Sequence, residues 1–336
     1  MDLIEPLGWL HRAAARDAVA AGLARPLAGG PAAFSLARLL PGGAVVPVAA
    51  VPPRFQPVLE RIAAAPAGWA GLPAGPVVMG ILNVTADSFS DGGRHLDPAR
   101  AIAAGLAMAQ AGAALVDVGG ESTRPGALAV PPAEERARVV PVVRALAAQG
   151  VAVSVDTRNA ATMAAVLDAG ARIVNDISAL AHDPAAPALV AARGCPVVLM
   201  HMRGQPETMA GLGQYADVAA EVAAELAARV AAAEAAGVAR AAIALDPGIG
   251  FAKDAAANLE LLARLGVLLG LGLPLVVGVS RKRFIGGIAG EAEPQRRLPG
   301  SLAAGLAACL AAASVLRVHD VAETVQALRV WQAIVR

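Results

Sequence analysis

The chain has 336 residues, enough to bury a large core, and 57% of them are hydrophobic against 16% charged and 3% aromatic. A net charge of +1 with so few rings excludes a basic nucleic-acid surface and points to small-molecule partners. Apolar stretches such as 303–316 stop short of the roughly 20 residues a membrane span needs, and the acidic start MDLIEPLGWLHRAAARD carries no secretory pattern.

Residues 1–75 read as a small N-terminal extension. A helix is expected over 8–24, and FSLARLL and AVVPVAAV flank Pro41-Gly42-Gly43 as a hairpin. Pro52, Pro53 and the PAGWAGLPAGP stretch read as a connector. From residue 77 one pattern repeats: a short Val/Ile/Leu run ends in polar residues, and an Ala-rich helical stretch follows. The runs are VVMGILNV (77–84), LVDVGG (115–120), VAVSVDT (151–157), IVNDIS (173–178), PVVLMHM (196–202), AIALDPG (242–248), PLVVGVS (274–280) and SVLRVHD (314–320). Helical spacing fills the gaps, as in 97–112 and 215–237. Roughly eight even units over about 260 residues predict an α/β fold, a (β/α)8 TIM barrel over 76–336, rather than a doubly wound open sheet. Cys195 and Cys309 lie in apolar contexts without metal-ligand spacing, which fits a reduced, cytoplasmic compartment.

In a barrel the chemistry sits at the carboxyl ends of the strands. Those ends carry Asn83, Asp117 with Glu121, Asp156, Asn175 with Asp176, His201, Asp246, Ser280-Arg281-Lys282, and Arg317 with His319. Turns and helix caps account for single Asp, Asn and Ser residues, but caps do not call for Arg, His and Lys as well. Arg317 and His319 are two apart, so they share a face and suit an anion such as phosphate. Asp156, Asn175 and Asp246 mix donors and acceptors that suit a flat heterocycle with several N–H groups. The pattern HExxH is absent, and GIGFAK (248–253) lacks the third glycine of a dinucleotide fingerprint.

These segments resemble one family, the dihydropteroate synthases of folate biosynthesis. The resemblance rests on MGILNVTADSFSDGG (79–93), DVGGESTRPGA (117–127), SVDT (154–157), IVNDIS (173–178), LMHMRGQPETM (199–209), LDPGIGFAKDAAANLELL (245–262), GVSRKRFIGG (278–287), GSLAA (300–304) and RVHDVAET (317–324). It implies condensation of 6-hydroxymethyl-7,8-dihydropterin diphosphate with p-aminobenzoate to 7,8-dihydropteroate and pyrophosphate. It further implies that Asp156, Asn175, Asp246 and Lys282 read the pterin, with Met200 and Phe251 near the bound rings. Asn83, Arg317 and His319 match the diphosphate site, where Asn83 would also help hold Mg²⁺. Phe89, Thr123, Arg124 and Pro125 match the p-aminobenzoate pocket, and Asp156, Asp246, Lys282 and Arg317 the catalytic set. A homodimer, and a target for sulfonamides, are expected on the same ground.

The chain departs from the family pattern at Ala86, Ala257 and Arg283. Ala86 stands where proline is usual, so the loop over 85–93 is expected to be looser when empty. Two rival readings are a pterin-binding methyltransferase-type barrel and a non-catalytic pterin-binding paralogue. The cations of SRK (280–282) and RVHD (317–320) argue against the first, and the intact loop residues Asp87, Phe89, Asp91, Thr123 and Arg124 against the second.

Overall fold

A computed structural model describes residues 1–66, 68–73, 75–85, 97–122 and 129–335. The N-terminal segment folds as an antiparallel sheet of β1 (Leu3–Leu10), β2 (Arg25–Pro26), β3 (Ala33–Leu40) and β4 (Val45–Pro47). β1 pairs with β3 along its length, from Leu3 opposite Leu40 to Leu10 opposite Ala33. β2 and β4 share the other edge of β3. The expected helix over 8–24 is therefore shorter, Arg12–Ala20, and its first residues belong to β1. LIEPLGWL conceals a strand because Pro6 and Gly8 interrupt its pattern. Both are tolerated because β1 is an edge strand paired on one side only. The connector also contains a helix, Gln56–Ala63, started by Pro57 in its first turn.

Eight parallel strands follow: β5 (Val77–Asn83), β6 (Leu115–Gly119), β7 (Val153–Asp156), β8 (Ile173–Asp176), β9 (Val197–Met200), β10 (Ile243–Asp246), β11 (Val276–Val277) and β12 (Val315–Val318). They are ordered β10-β9-β8-β7-β6-β5-β12-β11, and a parallel bridge between Leu245 and Leu275 joins the two ends into a barrel. These strands are apolar along nearly their whole length because helices cover the outside and side chains fill the inside. Ala-rich helices such as Pro98–Gln110 and Val218–Ala235 combine the best helix former with a face buried against the strands. Asp97, Asp217 and Asp254 cap three of the helices by accepting backbone N–H bonds, and Asp217 also pairs with Arg264.

The N-terminal sheet packs on the flank of the barrel, over the segment Leu265–Leu271 and, through Arg264, beside Asp217 at the start of the helix Val218–Ala235. The 3₁₀ segment Leu265–Leu271, LGVLLGL, is buried on every side, and β1 and the helix Gln56–Ala63 provide its outer cover. Gly266 lies so close beneath Pro6 that a Cβ would not fit. Glu5, itself buried, pairs with Arg38 at 2.8 Å and Arg264 at 3.0 Å. Trp69 closes the end of the barrel where the strands begin, in one cluster with Met79, Leu115, Ile173, Val198, Ala244, Val276 and Val315. Its indole N–H donates to the Ala242 carbonyl at 2.8 Å. The opposite end, where the strands finish, is left to the polar residues.

Candidate functional site

Six of the barrel strands, or the turns that follow them, bring six polar side chains into one cluster. Arg317, on β12, reaches across the barrel mouth. Its Nε donates to Asp117 Oδ2 on β6 at 2.7 Å and its Nη2 to Asp156 Oδ2 on β7 at 2.8 Å. Asn175, on β8, donates through Nδ2 to the same Asp117 oxygen at 3.0 Å. Asp246 ends β10 and accepts the Gly248 N–H at 2.7 Å, which turns the chain sharply at Gly248, φ +65°. Lys282 follows β11, donates to the Ile249 carbonyl at 2.5 Å and lies 4.5 Å from the centre of the Phe251 ring. Asn83 ends β5 beside this group: a Cβ on Gly119 would stand 3.8 Å from Asn83 Oδ1 and 3.9 Å from Asp156 Oδ2. Met200, buried at the end of β9, belongs to the same rim.

Burial sets the electrostatics. It raises the Asp156 carboxyl to about 7, with Arg317 pulling it down and Asp117 pushing it up. Asp246 is raised by burial as well, against the Gly248 N–H and the nearby Lys282 and Arg317. Loss of solvent pushes Lys282 down to about 8, opposed mainly by Asp246. Although burial works against its charge, the Arg317 guanidinium is held above its ordinary value by Asp117 and Asp156. The result is a water-poor mouth in which burial raises two carboxyls above their ordinary range, Asp156 to about 7, beside the Arg317 and Lys282 cations.

His319, two residues beyond Arg317, has its ring Nδ1 3.1 Å from Ser280 Oγ, and that oxygen accepts the His319 N–H at 3.2 Å. Arg281 turns away to pair with Asp320. Asp176, although adjacent to Asn175, occupies the opposite face and caps the turn at Ser178 and Leu180. His201 also leaves the cluster, facing Glu225 at 2.9 Å through Nε2. Glu121 accepts from Arg158 at 3.1 Å and from the Val130 N–H at 3.1 Å. Phe89, Thr123, Arg124 and Pro125, and the whole of the Ala86 loop expectation, lie outside the described residues. Among the described residues no group of three or more His, Cys, Asp or Glu side chains could hold a metal ion.

Sequence reasoning undervalued Asp117 and Lys253. Asp117 was visible only as one strand end among many, yet it is fully buried, takes two donors on one oxygen and leaves Oδ1 without a partner. A carboxylate in the interior of an apolar strand was the available signal, since burying one is costly unless it is paired.

A parallel barrel whose C-terminal mouth holds buried carboxylates, two amides and two cations has the form of a barrel enzyme with a small-molecule site. The family model of pterin-binding enzymes matches residues 79–319. The chain is 48% identical over 259 residues to the dihydropteroate synthase of Escherichia coli K12, covering 77% of this chain and 91% of that one. Among solved structures it resembles the Xanthomonas albilineans dihydropteroate synthase with 4-aminobenzoic acid, at 50% identity and a TM-score of 0.73. That match covers 77% of this chain and 93% of the other. A structure of dihydropteroate synthase from the same organism in complex with 7,8-dihydropteroate matches at 47% identity and a TM-score of 0.70, covering 77% and 94%. The chain belongs to the pterin-binding enzymes and, within them, to the dihydropteroate synthases, transferases of folate biosynthesis.

Proposed function

We propose that the Arg317 cluster is the place where 6-hydroxymethyl-7,8-dihydropterin diphosphate loses its diphosphate to p-aminobenzoate. The observation that carries this reading is the reach of Arg317 to Asp117 and Asp156, which places a cation against the carboxylates of a buried heterocycle pocket. Asp156, Asn175 and Asp246 read the ring's N–H and N positions, Lys282 donates to its carbonyl edge, and Met200 and Phe251 cover its faces. Arg317, His319 and Asn83 take the diphosphate. Phe89, Thr123, Arg124 and Pro125 take p-aminobenzoate, a ligand named for the Xanthomonas albilineans structure.

The chemistry is a substitution at the methylene carbon. The C–O bond breaks with its electron pair passing to the diphosphate, whose charge Arg317 and His319 stabilise. Positive charge left on the methylene spreads into the ring, where the Asp156 and Asp246 carboxylates favour it. The amine nitrogen of p-aminobenzoate then forms the new C–N bond and loses a proton to solvent. Asp156, raised to about 7, gains anionic character as pH rises past neutrality, which strengthens this stabilisation.

A magnesium ion fits the donor chemistry: one amide oxygen, Asn83 Oδ1, together with diphosphate oxygens and water, is the mixed hard-oxygen set that the ion prefers. When bound it would neutralise charge on the leaving diphosphate. A second copy of the chain is the expected covering for the exposed Ile288, Leu310, Val330 and Ile334 of the C-terminal helices. A reduced, cytoplasmic setting accords with two buried, free cysteines.

The test is direct. Purified protein with Mg²⁺, the pterin diphosphate and p-aminobenzoate should release pyrophosphate and form dihydropteroate in equal amounts. Absence of turnover with all three present overturns the proposal.

A further inference from the structure

The reaction scheme leaves unused a second buried lysine directly behind the pterin pocket. Lys253 Nζ lies 2.9 Å from His201 Nδ1, 3.0 Å from the Gly248 carbonyl and 3.0 Å from the Phe251 carbonyl. An ammonium has three N–H donors and no acceptor, and three acceptors are what this site supplies. The match requires His201 to carry its proton on Nε2, where it donates to Glu225 Oε2 at 2.9 Å. Glu225 is held in turn by Arg203. The side chain of Lys253 thus folds back over its own turn and grips the carbonyls at both ends of Gly248–Phe251.

The segment it grips is also fixed along its backbone: Asp246 accepts the Gly248 N–H at 2.7 Å and Asn258 Oδ1 accepts the Gly250 N–H at 2.6 Å. Gly248 and Gly250 adopt left-handed backbone, φ +65° and +84°, and a Cβ at Gly248 would collide with the His201 carbonyl oxygen. From the pocket side Lys282 bonds the Ile249 carbonyl and rests on the Phe251 ring. The short strap thus lies between two lysine side chains, Lys282 in the pocket and Lys253 behind it, where burial pushes Lys253 down to about 7. Lys253 faces His201 and, beyond it, Glu225 and Arg203; Asp246 and Lys282 are the charges on the pocket side, and the Tyr215 ring lies 6.0 Å away.

We infer that Lys253 is a positioning residue of the pterin site: by holding the Gly248 and Phe251 carbonyls it sets where the Phe251 ring and the Ile249 carbonyl stand, and through them Lys282. This rests on the assignment of Phe251 and Lys282 to pterin recognition. A residue acting in this way affects one substrate and not the other.

Lys253→Met keeps the length of the stem and removes the donors. Steady-state rates and calorimetric titration of 7,8-dihydropteroate are measured for the unaltered protein, Lys253→Met, Phe251→Ala and the double variant. The expected result is a roughly 10- to 100-fold rise in KM for the pterin diphosphate, the range set by losing hydrogen bonds to a charged group. KM for p-aminobenzoate and kcat should stay within about threefold. Phe251→Ala should weaken pterin binding in the unaltered background but change it little once Lys253 is Met, because coupled residues are not additive. Pterin affinity unchanged in Lys253→Met, or losses that multiply in the double variant, overturn the inference. Should Lys253→Met not fold, Glu225→Gln loosens the His201 end of the chain and should raise the same KM selectively; an unchanged KM there overturns it equally. Asp156→Ala separates the two readings. If it loses pterin binding while Lys253→Met does not, only the positioning role falls; if it binds pterin normally, the pocket assignment itself falls.

Discussion

Replacing Arg317 with methionine removes one cation from between two buried carboxylates while keeping most of the stem's packing. The guanidinium makes two charge-assisted bonds, 2.7 Å to Asp117 and 2.8 Å to Asp156, and Asp117 is wholly inaccessible to solvent. Bonds of that kind contribute about 1.5–3 kcal/mol each, and breaking a buried pair from one side costs about 3–5 kcal/mol because the other charge is stranded. Arg317→Met should therefore lower Tm by roughly 4–7 °C for a chain of this size. Adding Asp117→Asn removes one stranded charge, and the new amide oxygen can still accept from Asn175. About half of the loss should return, since contacting residues are not additive. The loss should also depend on pH. Without Arg317 the Asp156 carboxyl, already raised to about 7 by burial, rises further above its unfolded value of 3.8. The folded protein then binds more protons across that window, so its stability falls as pH increases, and the deficit should be larger at pH 8 than at pH 5.5. Thermal denaturation of the unaltered protein, the single and the double variant at both pH values decides the matter. A fall in Tm below about 2 °C for Arg317→Met, or a double variant less stable than the single one, would refute the account of Asp117 and Asp156 as a charge pair dependent on Arg317.

Two other expectations concern opposite ends of the barrel. Lys282 sits at about 8 in the folded protein against 10.5 for its ordinary value, so between those limits the unfolded chain holds more protons and this group makes stability rise with pH. Urea denaturation should show that slope reduced in Lys282→Met by up to about 1.4 kcal/mol per pH unit; an unchanged slope contradicts the burial of its charge. Trp69→Ala opens the closed end of the barrel and should cost about 3–5 kcal/mol, with kcat and both KM values near those of the unaltered protein. A variant of unchanged stability, or one with selectively altered KM, would show that Trp69 does not act as a plug remote from the site.

The barrel was legible because parallel strands covered on both faces must be apolar for their whole length, and their ends must turn polar where water or substrate begins. That rule alone located Asn83, Asp156, Asn175, Asp246, Lys282 and Arg317 at one rim, and the family resemblance attached a reaction to them. Strand β1 was not legible: Pro6 and Gly8 break its pattern, and it is a strand because β3 offers seven residue pairs to its inner edge. Which carboxylates Arg317 would meet was equally hidden, since they lie 161 and 200 positions away and only closure of the sheet brings them within 3 Å. Asp176 and His201 were indistinguishable from their neighbours until the strand's two faces were assigned, one to the pocket and one to the helices. The sequence by itself determined the repeat, the rim and the family. Only the tertiary structure decided which rim residues share one charge, and that Lys253 holds the strap behind them, because side chains this short act over a few ångströms that chain order does not specify.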